Sequence, residues 1–106
     1  MRYMGFREVP IESIEFNPFA KIGKQWMLVT AGDQEKFNTM TASWGGAGVM
    51  WGKNAVTVYI RPQRYTKEFI DAKDTFTLSF YKEEYRKALS FLGSVSGRDR
   101  DKVKEA

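Results

Sequence analysis

The sequence predicts a mainly β fold, a small and mostly antiparallel barrel with peripheral helices. Strand-patterned segments dominate roughly the first eighty residues, and the connections between the strong ones are short. A doubly wound parallel sheet needs longer helical crossovers. There is also no GxGxxG and no Walker sequence, so a dinucleotide-fold or nucleoside-triphosphate reading has no support. At 106 residues the chain reads as one domain, 1–106.

The elements follow in order. Val9 to Phe16 alternates weakly, with Ile11, Ile14 and Phe16 apolar, and reads as an early strand ended by an Asn17-Pro18 turn. Trp26 to Thr30 is a compact strand closed by Gly32-Asp33, and Gln34 to Phe37 connects it to the next segment. Gly45, Gly46, Gly48 and Gly52 then permit bends and close backbone approach. Ala55 to Arg61 is the clearest strand: Val56, Val58 and Ile60 share one face, and Thr57, Tyr59 and Arg61 the other. Pro62 stops that ladder.

Tyr65 to Ile70 fits a short helix capped by Thr66. Asp74 starts another strand, with Phe76, Leu78 and Phe80 facing one way. Tyr85, Ala88, Leu89 and Leu92 have helical spacing, with Gly93 as a natural stop. Ser96 to Lys102 reads as a capped turn entering a charged helix, on which Arg98 and Lys102 share a face.

Composition narrows the chemistry. With 42% hydrophobic and 15% aromatic residues the chain is globular. Its size implies burial of less than about 70% of the unfolded surface, a thin margin of stability. Cysteine is absent, which excludes disulfides and thiol chemistry, and histidine is absent too. A metal site would need carboxylates alone, so none is expected. Seventeen Lys and Arg against 13 Asp and Glu give a net charge of +4, which helps attract an anion, either a phosphate or a nucleic acid. The charges are interspersed, and ordinary solvated surface explains most of them. No secretory h-region and no apolar run near the roughly 20 residues of a membrane span is visible, so a soluble cytoplasmic protein is expected.

Asn38-Thr39-Met40-Thr41-Ala42-Ser43-Trp44-Gly45-Gly46 is the most informative stretch. It places small hydroxyl side chains between a methionine and an indole and carries no charge. Such a run can lay a polar edge beside an apolar slot, a seat for a flat ring with a polar rim. It equally describes a half-buried strand with Thr39, Thr41 and Ser43 solvated and Met40 and Ala42 inward.

That stretch, followed by Gly48 to Lys53, Thr57 to Thr66, Asp74 to Phe80, Leu89-Ser90-Phe91, Gly93-Ser94 and Ser96 to Asp99, is similar to the flavin reductase-like family. The ordered set covers nearly the whole chain from Trp26 onward. The resemblance implies an FMN-binding split β-barrel, non-covalent FMN, a homodimer, and hydride transfer from NADH or NADPH to flavin. The acceptor would be bound flavin, free flavin or another redox protein. Some members of the wider fold merely carry flavin, so an FMN-binding or electron-carrier module without turnover is the alternative.

By the same resemblance Asn38 opens the flavin segment, and Thr39, Met40, Thr41, Ala42 and Ser43 lie along the isoalloxazine. Arg61, Tyr65 and Thr66, with Ser96, Arg98 and Lys102, surround the ribityl phosphate. Family members are commonly longer, which implies closing strands and part of the dimer surface beyond Ala106. Asn54 stands where a proline is common, and Leu92 where many relatives carry cysteine.

The residues themselves leave alternatives open. Arg61 can fork onto a phosphate or join a cross-strand ion pair. Thr66 can bind phosphate at a helix start or only cap that helix. Arg98 and Lys102 can be phosphate ligands or solvated helix charge. Trp44 and Trp51 can wall a ring or pack in a core or dimer surface. Tyr59 and Tyr65 interleaved with Arg61 and Arg64 would suit nucleic acid, but no concentrated basic face accompanies them. No protein side chain is expected to act as a catalytic residue, because hydride moves at the flavin ring.

Overall fold

The computed structural model describes residues 7–106. The absence of a secretory segment was read partly on residues 1–6, which lie outside this range. Two small antiparallel sheets and four α-helices make up the fold, and neither sheet closes into a barrel among the described residues. The barrel expectation is corrected to two separate sheets of three and two strands.

In the first sheet β1 (Met27–Gly32) lies between β2 (Phe37–Ala42) and β5 (Thr77–Ser79). Register pairs Met27 with Ala42, Val29 with Met40 and Ala31 with Asn38, while Val29 also faces Leu78. By the two-residue period these side chains share one face. Met27, Val29, Met40 and Ala42 form the main core there with Ile22, and Phe16, Val58, Ile60, Ile70, Leu78 and Phe80 pack around it. Met27 and Val29 are fully buried, each contributing about 1.5–3 kcal/mol. The opposite face carries Leu28, which packs with Leu89 and Leu92 of α3 (Arg86–Ser94).

The first segment is not a strand. Pro10 opens a 3-10 turn at Ile11–Ser13, closed by Ser13 Oγ donating to the Pro10 carbonyl at 2.7 Å. Ile11 and Ile14 remain exposed, and among the described residues no strand pairs with them. Asn17-Pro18 starts a helix instead of a turn. Asn17 Oδ1 accepts from the Phe19 and Ala20 amides at 3.1 and 3.4 Å, and Pro18 takes the first helical position of α1 (Pro18–Gly23).

Gly32, at φ 123°, and Asp33 turn β1 into β2, where Asp33 Oδ1 accepts from the Glu35 and Lys36 amides. These amides hold the Asp33 carboxyl below its ordinary value. β3 (Gly45–Met50) and β4 (Lys53–Val58) form the second sheet, a hairpin turned by Trp51 and Gly52 at φ 54° and 71°. The ladder thus ends at Val58, earlier than expected, and Tyr59 and Arg61 leave it to enter the site while Ile60 packs on the core. In β5 only Thr77–Ser79 pair, but Leu78 and Phe80 face the core as their alternation requires.

Candidate functional site

β2 is an edge strand of its sheet, so one row of its backbone N–H and C=O groups is left unused by β1. Beside it lie two clefts that share Met40, Arg61 and Arg64. One, of about 100 Å3, is walled by Thr41, Ala42, Ser43, Trp44 and Tyr59 and includes no carboxylate in its lining. The other, of about 210 Å3, lies where Tyr65 and the start of α2 (Thr66–Ala72) meet the end of α3 and Ser96, with Lys102 at its wall.

The cation end is built by local structure. The Arg64 amide donates to the Arg61 carbonyl at 3.1 Å, and this turn brings both guanidinium groups to the same cleft. Arg61 also lies 5.8 Å from the Trp44 ring centre. Burial, followed by the charge of Arg61, lowers the Arg64 pKa. Lys102 opens α4 (Lys102–Glu105) but is only 3% exposed, and its Nζ donates to the Leu92 carbonyl at 2.9 Å. Leu92 is in the last turn of α3, where carbonyls lack helical partners. Burial, with the Arg64 charge second, pushes the Lys102 ammonium down to about 8.

Asn38, Met40, Arg61, Tyr65, Thr66, Ser96 and Lys102 converge on the larger cleft, and Met40, Thr41, Ala42, Ser43 and Arg61 on the smaller. Asn38 Nδ2 donates to Thr66 Oγ1 at 2.8 Å, so Thr66 is fully buried and makes no side-chain cap. Thr41 Oγ1 donates to the Leu89 carbonyl, fixing β2 to α3.

Two residues fall elsewhere. Thr39 points to the far face of the sheet, bonded to the Val29 carbonyl at 3.2 Å and to Thr30 Oγ1 at 2.8 Å. It is buried and is neither a wall of these clefts nor a solvated hydroxyl. Arg98 is not on a helix with Lys102. It sits in the preceding turn, its amide donating to Ser96 Oγ at 3.1 Å, and its side chain pairs with Glu68 and lies 5.0 Å from the Tyr65 ring centre. Arg98 lines an adjoining groove that shares Asn38, Tyr65 and Lys102 with the larger cleft.

Two glycines set the close approaches. Gly93 does not stop α3, which continues to Ser94, and a Cβ there would lie 3.0 Å from Thr41 Cβ. A Cβ on Gly97 would run into Asn38 Oδ1. Arg64 lines both clefts, whereas the sequence points to it only beside Arg61 in a nucleic-acid reading, although its three-residue spacing from Arg61 across a Pro-Gln turn is visible there.

The residues suit a phosphorylated flat cofactor: three cations at one end and an uncharged, hydroxyl-bearing strand edge at the other. Flavoredoxin of Desulfovibrio vulgaris (Miyazaki F) is similar in structure, with TM-score 0.67 and 27% identity over 76% of this chain and 44% of that one. An FMN-binding protein from Thermus thermophilus, solved with bound 1-cyclohex-2-enone, has TM-score 0.70 and 22% identity over 95% of this chain and 56% of that one. The chain therefore spans about half the length of each. No curated protein sequence matches it. The family profile described as flavin reductase like domain matches residues 19–106, most of the sequence, and the chain belongs to that family.

Proposed function

We propose that this chain binds FMN along the exposed edge of β2 and serves as a flavin reductase, passing hydride from NADH or NADPH to flavin. The observation that carries the reading is the convergence of Arg61, Arg64 and Lys102 on one cleft, which shares Met40 and both arginines with a neighbouring cleft walled by the uncharged Thr41, Ala42 and Ser43. Three cations without a lining carboxylate suit a phosphate, and a guanidinium can grip it through two parallel bonds. FMN is preferred to FAD because the cations gather at one phosphate-sized place.

Bound flavin would supply the hydride-accepting ring, which explains how a chain without His or Cys can do redox work. The protein's part is positional. Arg61, Arg64, Lys102 and Ser96 would hold the phosphate, with Tyr65 and Thr66 beside it. Met40 would pack under the ring, while the outward backbone groups of β2 and the Ser43 hydroxyl offer hydrogen bonds to its polar edge. Arg98 is an outer contributor through Tyr65.

We also infer a homodimer built on the β3–β4 hairpin, which exposes Val49, Met50, Trp51 and Val56. Among the described residues no helix is long and apolar enough to cross a membrane.

The test is an absorption spectrum of the purified protein reconstituted with FMN, followed by anaerobic addition of each reduced nicotinamide dinucleotide. A yellow protein that bleaches supports the reductase. Stable colour without bleaching would mean an electron carrier instead, and no retained colour would defeat both.

A further inference from the structure

Lys102 is the one buried lysine of the chain, 3% exposed, while Lys104 on the same short helix is exposed. Its Nζ donates to the Leu92 carbonyl at 2.9 Å, and among the described residues it pairs with no carboxylate. Leu92 leads directly into Gly93 and Ser94, which wall the larger cleft together with Lys102, Arg61, Arg64 and Ser96. That cleft has no carboxylate in its lining either. A primary amine is thus fixed beside two guanidinium groups at a concavity of about 210 Å3.

Attack by an amine requires the free base. Burial, with the Arg64 charge second, brings the Lys102 ammonium down to about 8 from 10.5. About a quarter of it is then neutral at pH 7.5, against about one part in a thousand of an ordinary lysine. A neutral Nζ still donates one N–H to the Leu92 carbonyl and keeps a lone pair. The two arginines stay charged and remain able to grip a phosphate. An amine beside a phosphate grip matches a reagent whose phosphate is joined directly to an electrophilic carbonyl. A thioester donor carries its phosphates far from its carbonyl and uses only half of this arrangement.

We propose that the cleft is a self-acylation site, in which Arg61 and Arg64 hold the phosphate of a small acyl phosphate and the Lys102 amine takes its acyl group. The Nζ lone pair forms the new C–N bond at the acyl carbon. The bond from that carbon to the phosphate oxygen breaks, and its electron pair leaves with inorganic phosphate. One proton from the nitrogen passes to the departing phosphate, whose growing charge the guanidinium groups stabilise. No oxidant or reductant is consumed. The amide product retains an N–H for the Leu92 carbonyl and no longer buries a charge. One consequence rests on the flavin reading: acylation removes one of the three cations from the phosphate end and lowers FMN affinity.

Acetyl phosphate is the probe. The full chain, free of flavin, is incubated with it, and acetylation at each lysine is followed by mass spectrometry. Lys102 is expected to react at least about tenfold faster than Lys104, within its advantage in free base. Inorganic phosphate, which occupies the guanidinium groups without an acyl carbon, should slow Lys102 and leave Lys104 unchanged. Arg61→Ala should slow Lys102 as well. Acetic anhydride needs no phosphate grip, so its rate at Lys102 should be the same in this variant as in the parent.

Lys102 and Lys104 reacting alike, or inorganic phosphate without effect on Lys102, would overturn the proposal. Equal slowing of both reagents by Arg61→Ala would count against the phosphate grip. FMN forms a separate arm: it should protect Lys102, and the acetylated chain should bind it at least about tenfold more weakly. FMN affinity unchanged by acetylation would overturn that consequence. Selective, phosphate-sensitive acetylation in a chain that takes no FMN would support the acylation site and defeat the flavin reading, which separates the two failures.

Discussion

The Asn38 amide and the Thr66 hydroxyl meet at 2.8 Å between the edge strand β2 and the first residue of α2, and both residues are buried. This single bond joins the two elements that carry opposite ends of the candidate site.

Because both partners are out of water, removing one leaves the other unsatisfied. Asn38→Ala and Thr66→Val are each expected to lower unfolding free energy by about 1–3 kcal/mol. The double variant should lose less than the sum, and urea titration of the four proteins measures the coupling. Strict additivity would show that the two side chains do not act together.

Arg64→Ala should weaken FMN binding by about 1.5–3 kcal/mol if the guanidinium engages the phosphate directly. Arg61→Ala is expected in the same range but nearer its lower end, because Arg61 is exposed while Arg64 is half-buried. Arg98→Ala should cost less than either, since its guanidinium is already paired with Glu68. Flavin fluorescence quenching in the three variants checks the order.

That ranking departs from what the sequence conveys, and the difference has physical causes. Alternation identified the inward face of β5 and the core roles of Met40 and Ala42, since a two-residue period is a local property. The composition of Asn38 to Gly46 marked a polar edge beside an apolar slot, but could not say that the Thr39 hydroxyl is taken up by Thr30 and the Val29 carbonyl. That depends on the pairing of β2 with β1, a tertiary fact. Asn17-Pro18 reads as a turn but caps α1, because the same pair begins turns and helices alike. Gly93 looked like a helix stop, yet its role is the close passage of α3 past Thr41, visible only once the two are packed. The burial of Lys102 had no local signal at all, since its position in a charged segment predicts exposure.

Lys102 is expected to make the proposed site sensitive to pH. Its folded pKa, about 8, lies below the ordinary lysine value of 10.5, so between these values the unfolded chain binds more protons. The contribution of Lys102 to stability therefore rises as pH increases from about 8 to about 10.5, and its buried charge is a cost below that window. Affinity for a phosphate should move the opposite way, because the ammonium is lost as pH passes 8 in the free protein. FMN titrations from pH 7 to pH 9.5 should show declining affinity in the parent and a flatter profile in Lys102→Met. Parallel profiles would remove Lys102 from the phosphate site.

The hairpin tip gives the sharpest test of the dimer. Trp51 is 93% exposed and held at φ 54°, where a bulky residue costs of order 1–3 kcal/mol. Asparagine followed by glycine is the favoured pair for such a two-residue turn. If the hairpin served one chain alone, Trp51→Asn would be stabilising or neutral and would change nothing else. If a second copy covers Val49, Met50 and Trp51, the same substitution improves the turn but removes the largest apolar group from the interface. Sedimentation of the parent at micromolar concentration should then report at least twice the 12.3 kDa chain mass, and Trp51→Asn should shift it toward the monomer. The variant should keep the circular dichroism of the parent, because the tip lies outside both core clusters. A parent that sediments as a monomer while binding FMN tightly would dismiss the dimer and leave the flavin site intact.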